Sequence, residues 1–278
     1  MCLLKTGYKD VAVSDEDMAY FYEHRTENIF ECAVNEYVVV RRKEDWQIAY
    51  KMKWDSERYI DLKYKPLNSD LLGKTKPRNL EQELAFDMLQ NSDTIIKCLT
   101  GVAGGGKDYL MVAHACNLLK EGSKFNKIIW VRNNVEVKDT EKIGMLPGTE
   151  YDKLLPFLMP LADHLGDIHT LNMYLDSGKI EVAHLGFLRG RDLRHSIIYC
   201  SEAENLTKEH MRIIMTRCSE GSELWLNGDY RQVDKKVFEG ENNGLVCLIN
   251  SLEGQKEFGH VQLKQTERGR IAELSELL

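Results

Sequence analysis

The seven cysteines of this chain, at positions 2, 32, 98, 116, 200, 218 and 247, include no CxxC pair. Their spacing argues against a zinc site, and an odd number of thiols in a chain of 278 residues points to a reducing compartment. No apolar run approaches the roughly 18 residues that a bilayer-spanning helix needs. The N-terminal MCLLKTGYKDVAVSDEDM is too acidic and too poor in apolar residues for a secretory signal. The expected location is therefore the cytoplasm. Basic charge is not in excess either, since 37 Lys and Arg stand against 44 Asp and Glu, a net charge of −7. That balance excludes a basic coat over the whole surface and leaves room only for local basic patches. Only five prolines occur, with no internal repeat and no low-complexity tract, while 43% of the residues are hydrophobic. Such a chain can bury one large core, with or without a small accessory region.

Texture divides the chain near residue 75. Lys65 to Arg78, KPLNSDLLGKTKPR, gathers turn-forming residues and reads as a linker or surface loop. Before it, Glu31 to Lys43 is rich in β-branched residues and Trp46 to Trp54 partly alternates, so a hairpin joined near the charged KED is expected. Residues 1–75 thus form a small, partly β accessory region, and residues 76–278 the main domain. There, strand-like runs at Thr94–Leu99, Lys127–Arg132, Lys179–His184, Ser196–Cys200 and Glu223–Asn227 alternate with helical stretches at Tyr109–Lys120, Tyr151–Leu165 and Thr207–Cys218. Alternation of this kind predicts an α/β fold, a mainly parallel sheet flanked by helices on both faces. The uninterrupted apolar runs IIWV and IIYC suit central strands buried on both sides.

The strand TIIKCL leads into GVAGGGKD, which has the GxxxxGK spacing at Gly101, Gly106 and Lys107, and an apolar helix follows. Glycines let backbone N–H groups close on phosphate oxygens, the lysine reaches the β- and γ-phosphates, and the helix N-terminus adds its dipole. The bland alternative is a glycine-rich strand-to-helix turn with no ligand. The residue after the lysine is ordinarily Ser or Thr, whose hydroxyl binds Mg²⁺. Here it is Asp108. A nucleoside triphosphatase also needs an acid at the end of a neighbouring strand, to hold Mg²⁺ and to activate water. The run HSIIYCSEAEN supplies Glu202 as the water-activating base but puts Ser201 where an Asp usually holds the metal. A solvated acidic helix start is the competing reading. Together the two departures conserve one carboxylate and one hydroxyl. One hypothesis is therefore a swapped metal shell of Asp108 and Ser201; the other is that Asp108 repels the triphosphate and leaves a weak or dead site.

These motifs, with others in the same order, resemble the PhoH-like ATPases, P-loop proteins related to superfamily 1 helicases. The resemblance runs from about Lys76 to the C-terminus. KPRNLEQ (Lys76 to Gln82) resembles the adenine-reading segment, and GVAGGGKD is similar to GxAGTGKT. IIWVRNNV, IGMLPG (Ile143 to Gly148) with DKLLP, and HSIIYCSEAEN follow. After them come IIMTRCSEGS, NGDYRQVD and LKQTERGRIAELSELL. Departures fall at Asp108, Ser201, Asn133, Glu204 and Gly269.

The resemblance implies a RecA-like fold and binding of ATP and Mg²⁺. ATP would be bound by Arg78, Asn79, Gln82, Gly101, Ala103, Gly104, Gly105, Gly106, Lys107 and Asp108, and the metal by Asp108 and Ser201. It implies catalytic roles for Lys107, Glu202, Gln232 as γ-phosphate sensor, and Arg217 and Arg268 as arginine fingers. A satisfied turn amide and surface ion pairs are the plainer readings of Gln232 and of the arginines. Arg189, Arg191 and Arg194 are candidates for phosphates of RNA or single-stranded nucleic acid, with a solvated loop as the alternative. The eight histidines show no ligand spacing. Residues 1–75 are too few for the PIN nuclease that some relatives carry, so no nuclease chemistry is expected. A core of this form is common in bacteria and their phages, and the resemblance implies a homo-oligomer, often a hexameric ring. Two functions follow: an ATPase coupled to nucleic acid, with helicase action only as an oligomer, or a nucleotide-dependent assembly module that hydrolyses little.

Overall fold

The computed structural model describes residues 5–69, 72–120, 122–132 and 150–267. Six strands, β7 (Ile96–Gly101), β8 (Lys127–Arg132), β9 (Ile180–His184), β10 (Ser196–Cys200), β11 (Glu223–Gly228) and β12 (Phe258–Leu263), form one sheet. Its order is β12-β7-β11-β10-β8-β9, and every pair is parallel. The helices of this part are α2 (Leu80–Gln90), α3 (Lys107–Leu118), α4 (Glu150–Leu165), α5 (Ile168–Asp176), α6 (Lys208–Met215) and α7 (Gly244–Leu252).

The period-2 geometry of each strand sorts its side chains onto two faces. Leu99, Ile128, Trp130, Ile197, Tyr199, Trp225 and Val261 join the core beneath α2, α3, α4 and α5. Cys98, Ile129, Val131, Ile198, Cys200, Leu224 and Leu226 join the core beneath α6 and α7. Both faces are therefore covered, as the apolar runs predicted. The chain is a RecA-like α/β fold, with β11 lying between the strand of the phosphate loop and the strand that leads into Ser201 and Glu202.

Residues 5–69 carry β1 (Tyr8–Val13), α1 (Asp15–Glu23), β2 (Tyr37–Arg42), β3 (Ile48–Trp54) and β4 (Tyr59–Asp61). These strands form a second sheet in the order β1-β2-β3-β4. β2 and β3 pair antiparallel, making the hairpin read from the sequence. In YVVV, Val38 and Val40 pack with Phe21 of α1, Met52 and Trp54. Tyr37 and Val39 face the other way, into the main core. Buried Asp87 of α2 accepts hydrogen bonds from Tyr37 Oη at 2.7 Å, Lys53 Nζ at 2.8 Å and the Lys63 backbone N–H at 2.6 Å. Glu81, also on α2, accepts from Tyr8 Oη at 2.8 Å and from the Lys264 N–H at 2.6 Å. The segment read as a linker instead contains a small antiparallel pair, β5 (Leu67–Ser69) with β6 (Gly73–Thr75). Burial of Leu67 and Thr75 against the body fixes it.

Candidate nucleotide site

The site lies at the carboxyl ends of β7, β11 and β10, beside the point where strand order reverses around β7. Open parallel sheets bind ligands at such points. Gly101, Gly104 and Gly106 have φ of +127°, +79° and +89°, backbone that side-chain-bearing residues rarely adopt. At Gly101 space is also limiting, since a Cβ would stand 1.9 Å from the Leu263 carbonyl oxygen of β12. The turn thus brings the loop directly onto the N-terminus of α3. Lys107 Nζ donates to the carbonyls of Gly101 at 2.8 Å and Val102 at 2.9 Å.

A cleft of about 270 Å³ opens in front of this loop, lined by Arg78, Gln82, Gly104, Gly106, Lys107 and Asp108 together with Lys76, Tyr109, Leu110, His164 and Glu267. Asn79 caps α2, its Oδ1 accepting from the Gln82 N–H at 2.9 Å. The Gln82 side chain accepts from the Arg78 N–H at 3.0 Å and donates to the Gly105 carbonyl at 3.2 Å. Gln82 is thus tied to the phosphate loop at one wall of the cleft. The chain after β12 returns to the same place, where the Glu267 N–H donates to the Gly104 carbonyl at 2.9 Å. Arg268 lies outside the described residues, as do Asn133, Ile143–Gly148 and Gly269.

At the end of β10, Glu202 has φ 52° and ψ 46°, left-handed backbone on a non-glycine residue. Such strain clusters at functional sites. Its N–H donates to Asn227 Oδ1 of β11 at 3.1 Å. Ser201 is 5% exposed and its Oγ is buried without a hydrogen-bond partner among the described residues. Asp108, on the first turn of α3, accepts from Tyr199 Oη at 2.7 Å. Burial and the Asp108 carboxylate together hold the Tyr199 hydroxyl well above its ordinary pKa.

Magnesium fits this donor set. An orphaned buried hydroxyl and a carboxylate are oxygen ligands, and a nucleotide-bound Mg²⁺ needs only one or two from the protein. No cluster of three or more metal-binding side chains occurs among the described residues. Asp108 and Ser201 would hold the ion, which would supply positive charge against that of the triphosphate.

Two neighbours complete the strand end. Glu204 is buried, and its Oε2 accepts from the Asp229 N–H at 3.2 Å. Desolvation, helped by the charge of Glu202, raises its carboxyl to about 8. A Cβ at position 228 would meet Glu204 Oε2 at 2.5 Å, so Gly228 leaves the room that Glu204 occupies. Asn205 and Asp234 bond reciprocally, at 2.7 and 3.0 Å, which fastens this segment to the loop after β11. Gln232 is exposed on that loop, at the same end of the sheet as the phosphate loop.

Arg217 is elsewhere. It precedes β11, its N–H groups reaching the Arg191 carbonyl and Thr216, so it lies at the amino edge of the sheet. The six residues of β11 separate it from the phosphate loop by about 20 Å. Arg191 pairs with Glu181 at 2.5 Å and Arg194 with Asp192 at 2.7 Å, at the same edge. The residues that the sequence reading missed are Tyr109, His164 and Glu267 at the cleft, and Tyr199 and Asn227 beneath it. A phenol inside an apolar strand three places before the acid was the available signal for Tyr199.

A glycine-turned strand, a lysine at the helix start and an acid at the end of the next strand but one define a P-loop nucleotide-binding protein. A protein-family model described as "PhoH-like protein" matches residues 74–277, and the chain belongs to that family. It is 33% identical to Protein PhoH2 of Bacillus subtilis over 208 residues, covering 72% of this chain and 46% of that protein. It is 35% identical to a PhoH-like protein of Mycobacterium leprae over 210 residues, 74% of this chain and 58% of that one. Against Protein PhoH2 of Thermobispora bispora the identity is 27% over 290 residues, 97% of this chain and 61% of that one. The chain thus spans about half to three-fifths of the length of these relatives.

Proposed function

We propose that this protein binds ATP in the cleft before Gly104–Lys107 and hydrolyses it with Mg²⁺, with turnover coupled to RNA or another single-stranded nucleic acid. The observation that carries the reading is Glu202, a carboxylate on left-handed backbone at the end of β10, on the same sheet edge as the phosphate loop. Lys107 would leave its two loop carbonyls for the β- and γ-phosphates, Gln82 and Arg78 would read adenine, and Glu202 would orient and deprotonate water. Gln232 would sense the γ-phosphate. Arg217 cannot reach the site of its own subunit from the amino edge, so as a finger it would serve a neighbour's. This supports a homo-oligomer, a ring in the simplest case, and any unwinding of duplexes would require it. The division at residue 75 belongs to the same proposal, with residues 76–278 as the ATPase domain. No helix of the described residues is long and apolar enough to cross a membrane.

A second reading, a nucleotide-dependent assembly module with little turnover, is favoured by Asp108, which puts a carboxylate where a hydroxyl ordinarily meets the metal. Steady-state hydrolysis with Mg²⁺, with and without single-stranded RNA, separates the two. For the ATPase, Glu202→Gln should lower kcat at least about 100-fold while ATP still binds, and RNA should stimulate the unaltered protein. ATP binding without turnover above the Glu202→Gln level would establish the assembly module instead.

A further inference from the structure

Three hydrogen bonds join the helix of the phosphate loop to the backbone of Glu202. Tyr199 Oη donates to Asp108 Oδ1 at 2.7 Å, and Asn227 Nδ2 donates to Tyr199 Oη at 2.8 Å. Asn227 Oδ1 in turn accepts the Glu202 N–H at 3.1 Å. Strand geometry explains how these residues meet. Tyr199 and Trp225 both face the core beneath α3, and Asn227, two residues beyond Trp225 on β11, falls on that same face. Tyr199 and Asn227 are each 1% exposed, so neither presents its polar group to solvent. A phenol donates one proton and accepts at its oxygen, and Tyr199 uses both capacities here.

We propose that Tyr199 is a positioning residue, which fixes the left-handed Glu202 backbone relative to the first turn of α3 through Asp108 on one side and Asn227 on the other. This rests on the reading of Glu202 as the water-activating base. One oxygen of Asp108 is committed to the protein by this contact. The carboxylate after Lys107 is therefore part of the mechanical link between loop and base, whatever its second oxygen does. An aliphatic residue at position 199 would fill the core and leave Asp108 and Asn227 unconnected.

The test uses the full chain. Amide hydrogen exchange at Glu202 is measured in the nucleotide-free protein, in Tyr199→Phe, in Asp108→Ala and in the double variant. The phenylalanine keeps the ring packed on Trp130, whose centroid is 4.6 Å away. Asp108→Ala is the second variant because it changes the first turn of α3 rather than the core. Either single change should speed exchange at Glu202 about tenfold, and the double variant should add little further. In turnover, Tyr199→Phe should lower kcat about 10- to 100-fold with KM for ATP held within about threefold, the signature of a displaced base and not of lost binding. Unchanged exchange at Glu202 in both single variants overturns the proposal, whether or not the protein hydrolyses ATP. Turnover in the unaltered protein that Tyr199→Phe leaves intact also overturns it, while the ATPase reading survives. Coupled exchange in a protein with no turnover has the opposite meaning: the link stands and the ATPase reading falls.

Discussion

Among the departures from the pattern that the chain resembles, Glu204 replaces a glutamine, and its surroundings make that exchange conservative. With its carboxyl raised to about 8 by desolvation, the side chain is neutral at pH 7 and offers one O–H donor and one carbonyl acceptor, much as an amide does. Glu204→Gln should therefore leave kcat at pH 7 within about threefold of the unaltered protein, which steady-state turnover would check. A loss comparable to that of Glu202→Gln would mean that Glu204 acts as a charged group. Lys107 and Glu202 were legible in the sequence because each sits in a short contiguous motif whose spacing is set by a turn or a strand end. Tyr199 and Asn227 were not, since their meeting depends on β11 lying beside β10, a neighbour relation that no local spacing encodes. Nor was the place of Arg217, 15 residues of chain after Glu202 but at the opposite edge because α6 runs back along the sheet.

Among the elements, the apolar strands were the easiest to read. β8 and β10 coincide with the runs Lys127–Arg132 and Ser196–Cys200, because burial on both faces leaves an unbroken hydrophobic record. β12, FGHVQL, gave no such record although all six of its residues are buried. The Nε2 atom of His260 lies 2.8 Å from Thr100 Oγ1 of β7, and Gly259 packs beneath Met88 and Thr94, so its polar and small residues are satisfied by partners distant in sequence. The N-terminal sheet shows the same limit, since its composition announced strands but not the buried contacts with α2. Those contacts predict a stability effect. Lys53 and Asp87 are 6% and 3% exposed, and removing the ammonium leaves a buried carboxylate with only Tyr37 and the Lys63 N–H. Lys53→Met should lower the free energy of unfolding by about 3 kcal/mol, and Lys53→Met with Asp87→Leu should recover part of it. Urea denaturation of the pair of variants decides, and a loss under about 0.5 kcal/mol would mark the contact as no more than a surface pair.

Across the whole molecule, three buried titratable groups pull stability in opposite directions with pH. Glu204 keeps its proton up to about 8 in the folded state and loses it near 4.5 when unfolded. Between those values the folded chain holds the extra proton, so this group's contribution declines as pH rises, with a slope approaching about 1.4 kcal/mol per unit. His114 and His260 behave in the opposite sense. Burial lowers them from 6.5 to about 4 and about 3, so below 6.5 the unfolded chain takes up two protons that the folded one refuses. Their joint slope approaches about 2.7 kcal/mol per unit, and stability falls as pH drops. Between 4.5 and 6.5 the histidines outweigh Glu204 by about one proton, while between 6.5 and 8 Glu204 acts alone among the three. Stability should therefore peak near pH 6.5. Glu204→Gln should abolish the decline from 6.5 to 8 and steepen the acid side toward the full two-proton slope. Urea midpoints at pH 5, 6.5 and 8 for both proteins test this directly. A decline above pH 6.5 that persists in Glu204→Gln would assign the alkaline limb to another group and place the Glu204 proton in the unfolded chain's ordinary range.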